Sequence, residues 1–171
     1  MHKPLSKKEI KDLNEKFASQ VSNKEIVLVL QDVIDPINVG SLFRIADGLG
    51  ARLILTGQTP IPPHKNISMT SRGLERSVDW SYIETFEAAA SSLKNDGFKI
   101  IGLELAETSK PYSTYKYPNK VALVLGSEAH GIYKKNLDLC DHIVCIPMLG
   151  KGPSLNVNVA AAIVGYQIIS L

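Results

Sequence analysis

Cysteine is scarce in this chain: Cys140 and Cys145 are the only two among 171 residues. Two thiols are too few for a disulfide framework, so a reducing compartment is expected. The N-terminal stretch lacks the apolar run of a secretory leader, and nothing reaches the length of a membrane span. The richest apolar stretch, Leu155 to Leu171, is interrupted by Asn156, Asn158 and Gln167. A cytoplasmic protein without a membrane partner is the expectation. Familiar site motifs are missing as well. No G-x-G-x-x-G follows the first strand-like run, which removes a dinucleotide fingerprint. Gly150-Lys151-Gly152 lacks the Ser or Thr that a phosphate-binding P-loop carries after its lysine, and Gly152-Pro153-Ser154-Leu155-Asn156 lacks the closing glycine of a nucleophile elbow. Cys140 and His142 share a strand face, but Cys145 points away and no fourth ligand falls at a suitable spacing, so no metal site is expected. Thiols packed as small apolar groups are the simpler reading.

What is present is an ordinary globular balance, 44% hydrophobic and 21% charged, enough for the core of one compact domain. The net charge of +2 is a weak pointer to a polyanionic partner. Its distribution is more telling: Lys3, Lys7, Lys8, Lys11, Lys16 and Lys24 face only Glu9, Asp12 and Glu15 in the first 24 residues. Such a segment can touch phosphate, and it equally suits a solvated helix face. Ser6 and Glu9 have the spacing of a capping box, and Ile10, Leu13 and Phe17 recur at helical spacing, which predicts a helix over residues 6–20. Beyond it, short apolar runs at 26–30, 52–55, 78–83, 98–103, 121–125 and 142–146 predict strands. Helical patterns at 39–49, 85–94, 132–139 and 154–170 separate them, with a proline-punctuated loop at 58–65 and a turn at Asn95-Asp96-Gly97. Strands without polar alternation, divided by helices, give an α/β fold with a mostly parallel sheet covered by helices on both faces. The division is an N-terminal helical extension, 1–23, and one domain, 24–171.

Three stretches carry more than structure requires. In LQDVIDPINVGSLFRIADGLG, Asn38, Gly40 and Arg44 fall at a strand-to-helix junction, the end of an α/β sheet where ligands bind. Gly40 permits close backbone approach, and the charge of Arg44 lies among Phe43, Ile45 and Ala46, though a capping Asn38 and a surface Arg44 account for the residues equally well. In LVLGSEAHG a buried run stops at Gly126 and a carboxylate, Glu128, follows. Backbone amides there suit a polar ligand, and Ser127 and Glu128 equally suit a helix start. In CIPMLGKGPSLNVNVAAA a Gly-rich loop leads into a helix that is apolar all round and therefore expected to be buried on all sides. A cap explains Ser154; it does not explain two asparagines as well.

Together and in this order, the Asn38-x-Gly40-x-x-x-Arg44 stretch, the Gly126-x-Glu128-x-x-Gly131 stretch, and Ile146-Pro147-Met148 followed by Ser154-Leu155-Asn156-Val157 resemble the three motifs of SpoU/TrmH-type RNA ribose methyltransferases of the SPOUT superfamily. The resemblance covers residues 24–171. It implies a C-terminal deep trefoil knot that forms an S-adenosylmethionine pocket. Gly126, Ile146 and Leu155 would surround the cofactor, with Ser154 beside it and Leu103 as a looser member. It implies a catalytic set of Arg44, Asn38, Glu128 and Asn156, no metal, a homodimer with a site completed across its interface, and a structured RNA substrate, tRNA or rRNA, methylated on a ribose 2′-hydroxyl. In the family proposal Arg44 would be the general base. A guanidinium is effectively always protonated, and losing its proton near neutral pH would cost roughly 7 kcal/mol, so a fixed cation steadying the developing alkoxide is the preferred role. Two departures stand out: Asn158 where many relatives have Ser, and Pro153 where a more polar residue is usual. Phosphate contacts are expected from Lys65, Arg72, Arg76, Lys134, Lys135 and the N-terminal lysines, and base stacking from Tyr112, Tyr115 and Tyr117, which equally suit a connecting loop. The competing reading is a non-catalytic RNA-binding or assembly factor that keeps the same fold.

Overall fold

The computed structural model describes residues 3–18 and 24–170. Seven strands form one sheet: β1 (Glu25–Gln31), β2 (Arg52–Thr56), β3 (Trp80–Ile83), β4 (Lys99–Leu103), β5 (Lys110–Pro111), β6 (Lys120–Leu125) and β7 (His142–Cys145). Their spatial order is β3-β2-β1-β6-β4-β7-β5, and every pairing is parallel. Burial explains the unbroken apolar runs. Alternate residues of β1 enter opposite layers: Ile26, Leu28 and Leu30 join one core and Val27 and Val29 the other. With both faces covered, neither set can be polar.

The helices divide accordingly. α2 (Pro36–Leu49), α3 (Lys65–Ser71) and α6 (Val157–Ile169) cover one face; α4 (Phe86–Asn95) covers the other, with Phe86, Ala89, Ala90 and Leu93 buried beneath it. α2 begins three residues before the periodic pattern. Asp35 caps it by accepting from the Ile37 N–H at 2.8 Å and Pro36 occupies its first turn, a start signal present in the sequence. It ends at Gly50, whose φ of 62° lets its N–H reach the Ala46 and Asp47 carbonyls. α1 (Lys7–Ala18) has the capping box expected of it, Ser6 N–H to Glu9 Oε2 at 2.7 Å and Ser6 Oγ to the same oxygen at 2.6 Å. None of its residues is buried. The expected last two residues of this helix, 19 and 20, lie outside the described residues.

Several expectations are corrected. α3 forms where no element was expected: His64 caps it through Nδ1, and its seven Ser-, Thr- and Asn-rich residues are too few to show a period. The 132–139 helix shrinks to α5 (Lys134–Leu137). α6 begins at Val157, not Ser154, and its cap is Asn156, which accepts from the Asn158 N–H at 2.8 Å. Nor is α6 buried on all sides. Ala161, Val164, Gly165 and Ile168 face inward, while Val159 and Tyr166 are exposed. In the tyrosine loop, Tyr117 is core rather than stacking surface, its hydroxyl donating to the Tyr112 carbonyl at 3.0 Å, while Tyr112 and Tyr115 are half-buried against the same core. Burial of phenol rings outweighs their exposure to a partner because each withdraws a large apolar area from water. Cys140 also packs at a core edge, where burial pushes its thiol up to about 12. Among the described residues, no helix is long and apolar enough to cross a membrane.

Two constraints are directly testable. A Cβ on Gly40 would collide with the Thr70 hydroxyl and the Ile67 carbonyl, so this glycine lets α2 and α3 touch. Gly40→Ala should cost about 1–3 kcal/mol, seen as a lower denaturant midpoint with unchanged slope. Asp141 ties β4 to β7: its Oδ2 accepts from the Ile100 N–H at 2.8 Å. Burial raises this carboxyl, but the Ile100 amide with Lys94 and Lys99 more than offsets that and holds it below the usual aspartate value. Its stabilisation is therefore present above the unfolded value and is lost as pH falls through the native one. Asp141→Ala should cost about 1–3 kcal/mol at pH 7, and the gap to the parent should close as unfolding is repeated at pH values below the ordinary aspartate range.

Candidate active site

The strands β4, β6 and β7 run in parallel, so the segments leaving their C-terminal ends emerge on one side of the sheet. They enclose a cleft of about 490 Å³ together with the loop that leads into α6. Leu103 and Glu104 come from the end of β4, Gly126 and Glu128 from the segment after β6, Ile146 and Met148 from the segment after β7, and Ser154, Leu155 and Asn156 from the approach to α6. A volume in this range suits a small-molecule ligand, and the strand ends of a parallel sheet are where such ligands are bound.

Local backbone demands shape the walls. After β6 the chain doubles back: Ser127 N–H donates to the Gly131 carbonyl at 3.1 Å and Gly131 N–H to the Ser127 carbonyl at 2.8 Å. A Cβ on Gly126 would strike the Gly131–Ile132 backbone, so the turn can close only over a glycine. Glu104 then joins two walls. Its Oε2 accepts from the Ile132 N–H at 2.8 Å and its Oε1 from the Leu105 N–H at 2.9 Å. Sequence reasoning missed Glu104. The available signal was a carboxylate directly after an apolar strand. Among the described residues, the charged side chains lining the cleft are the Glu104 and Glu128 carboxylates, and no lysine or arginine lines it.

Glu128 reaches away from its own turn. It accepts from the Ile34 N–H at 3.2 Å, the Asp35 N–H at 3.3 Å and the Asn38 Nδ2 at 2.7 Å. Asn38, only 7% exposed, uses its Oδ1 to accept from Asn156 Nδ2 at 3.2 Å and from Asn158 Nδ2 at 2.9 Å. One hydrogen-bonded chain thus joins the start of α2, the turn after β6 and the start of α6, although 90 residues separate Asn38 from Glu128 and 118 separate it from Asn156. Three of the four residues expected to be catalytic meet here, and Gly126, Ile146, Ser154, Leu155 and Leu103 line the adjoining cleft.

Arg44 stands apart. Six residues beyond Asn38 on α2, it is displaced roughly 9 Å along the helix axis. It is exposed, does not line the cleft, and has no polar partner among the described residues. Of the other basic candidates, Lys65, Arg72 and Lys134 are exposed, while Lys135 is engaged with Glu87 at 2.8 Å and Arg76 lies 3.8 Å from Glu75. Among the described residues, no group of three or more His, Cys, Asp or Glu is arranged to hold a metal ion.

Comparison with known proteins agrees with this geometry. The sequence model of the SpoU rRNA methylase family matches residues 25–166. An uncharacterized tRNA/rRNA methyltransferase from Synechocystis sp. is 31% identical over 94% of this chain and 41% of its own length. A 23S rRNA (guanosine-2′-O-)-methyltransferase from a Burkholderia species is 28% identical over 91% of this chain and 63% of its own. Among solved structures, an AdoMet-bound rRNA methyltransferase from Sinorhizobium meliloti superposes with a TM-score of 0.79 at 26% identity, covering 84% of this chain and 55% of that one. The chain therefore spans 41% to 63% of the length of the curated relatives it matches. With the α/β fold, the cleft at the strand ends and the meeting of the three motif stretches, the match places the chain in the SpoU rRNA methylase family.

Proposed function

We propose that this chain binds S-adenosylmethionine in the cleft and transfers its methyl group to a ribose 2′-hydroxyl of a structured RNA, either tRNA or rRNA. The observation that carries the reading is the chain of hydrogen bonds Glu128–Asn38–Asn156 at the rim of a cleft lined by two carboxylates and, among the described residues, no lysine or arginine. That lining fits the group. A ligand carrying a sulfonium and an ammonium gains from nearby carboxylates, and the Gly126 turn leaves backbone where a side chain would otherwise intrude. Leu103, Gly126, Ile146, Ser154 and Leu155 are the residues to hold it. When bound, the cofactor supplies an electrophilic methyl group on sulfur, so the protein's task is to present the oxygen.

Position is what these residues offer. In-line attack needs the 2′-oxygen, the methyl carbon and the sulfur aligned, and orientation alone supplies several kcal/mol of a barrier (about 7 or more in favourable cases). Asn38, held from both sides, is rigid enough to orient a ribose or an arginine. Glu128 keeps Asn38 and the Ile34–Asp35 backbone in place, so it shapes the site from behind rather than touching RNA. Asn156 joins the same chain while capping α6. Arg44 serves as the fixed cation that steadies negative charge on the 2′-oxygen, and the proton leaves to solvent or an RNA phosphate.

The free position of Arg44, away from the cleft of its own chain, supports a homodimer in which the partner completes the site. The exposed Val159 and Tyr166 on an otherwise apolar helix support α6 as part of that interface. The deep C-terminal trefoil knot belongs to the same reading. Its support is the convergence of the segments after β4, β6 and β7 on one cleft, with β4 lying between β6 and β7 in the sheet. Residues 24–171 form the catalytic domain and residues 1–23 a helical extension, in a protein acting in the cytoplasm.

Labelled S-adenosylmethionine incubated with total RNA should leave label on one ribose, mapped as a 2′-O-methylated nucleotide. Arg44→Ala should lower that rate at least about 100-fold while changing cofactor affinity less than about twofold. Cofactor binding without label in any RNA pool would instead favour an RNA-binding or assembly factor. Sedimentation should give twice the chain mass, and Val159→Lys should move it toward the monomer and reduce turnover in parallel.

A further inference from the structure

We propose that Asn158 is a positioning residue for methyl transfer, which fixes the orientation of the Asn38 amide; this rests on the enzymatic reading above. A carboxylate can only accept hydrogen bonds. Glu128 therefore obliges Asn38 to turn its Nδ2 toward it, at 2.7 Å, and its Oδ1 toward α6. Whatever faces that Oδ1 must donate. Asn158 does so through Nδ2 at 2.9 Å, a shorter bond than the 3.2 Å one from Asn156. Asn156 is also committed elsewhere, since its Oδ1 accepts from the Asn158 N–H as the helix cap.

Asn158 keeps this direction at a cost. Its Oδ1 is buried and has no hydrogen-bond partner among the described residues. Rotating the amide by half a turn would not relieve this, because it would set Oδ1 of Asn158 against Oδ1 of Asn38, acceptor against acceptor. A side chain serving only helix stability has no reason to be held with a buried orphan acceptor, since most buried polar atoms find partners. Here the orphan follows from a polarity imposed two residues away in the chain of bonds. The charged side chain hydrogen-bonded to these amides is Glu128; Asp35 contributes only its backbone N–H. A seryl hydroxyl can also donate, so the requirement is a donor aimed at Asn38 rather than an amide as such.

The test is a series at one position, read by single-turnover methyl transfer and by the Asn38 side-chain amide signal in nitrogen-15 NMR. The NMR arm needs no methyl transfer, so it separates failure of this inference from failure of the enzymatic reading. Asn158→Asp places an acceptor against Asn38 Oδ1 at neutral pH. It should lower the rate about 100-fold and displace the Asn38 signal, with cofactor affinity changed less than about twofold. On acidification the new carboxyl gains an O–H that can donate, so rate and signal should both recover toward those of the parent, whose own rate does not rise. Asn158→Ser should retain the rate within about fivefold, and Asn158→Ala should fall between Ser and Asp. An Asn38 signal unmoved in Asn158→Asp, a rate loss that does not recover on acidification while the variant remains folded, or equal losses in the Ser and Asp variants would each overturn the proposal.

Discussion

The site depends on the carboxylate of Glu128 accepting from Asn38. Glu128 stands on a turn fixed by Gly126 and Gly131, and through Asn38 and the Ile34 and Asp35 amides it closes that turn onto the start of α2. Because a carboxylate accepts and never donates, the direction of every later bond in the chain follows from it. The same charge also lines the cleft beside Glu104. One group thus sets both the geometry of the rim and the sign of the field inside.

The fold makes that economy possible. A parallel sheet sends all its strand ends to one side, so residues from three separate connections become neighbours without long insertions. Helix packing supplies the rigidity behind them. α2 is held against α3 through Gly40 and against α6 through Gly165, where a Cβ would strike Leu49. The Tyr166 hydroxyl donates to the Gly48 carbonyl at 3.3 Å on the same seam. Asn38 and Asn158 sit near the N-termini of the two helices this seam fixes, which is why an amide-to-amide bond of 2.9 Å can be maintained between them.

Two glycines show how a motif residue and its physical reason can differ. Gly40 belongs to the first motif, where close backbone approach was expected, and the backbone that approaches is that of α3 at the Ile67 carbonyl. The residue therefore serves packing. Gly126 lies in the second motif and does both, closing a turn and leaving room in the cleft. The tyrosines of residues 112–117 differ similarly. Interleaved with lysines they suit a stacking surface, yet their rings complete the core over β7.

The sequence by itself determined the α/β class, the parallel sheet, six of the strands and the three motif stretches, because these follow from local pattern: apolar runs without alternation, helical periods, and short spacings of residue type. Most of the cleft lining falls within the second and third of those stretches, with Leu103, Glu104 and Leu105 outside them. Only the tertiary structure decided that Asn156 rather than Ser154 caps α6, that Glu128 holds Asn38, that Glu104 bridges two walls and that Asn158 completes the chain of amides. Those facts are bonds between residues that are mostly distant in sequence, and their direction depends on which partner can donate. A sequence lists donors and acceptors along a line; which of them face each other is settled only when helices and strands pack.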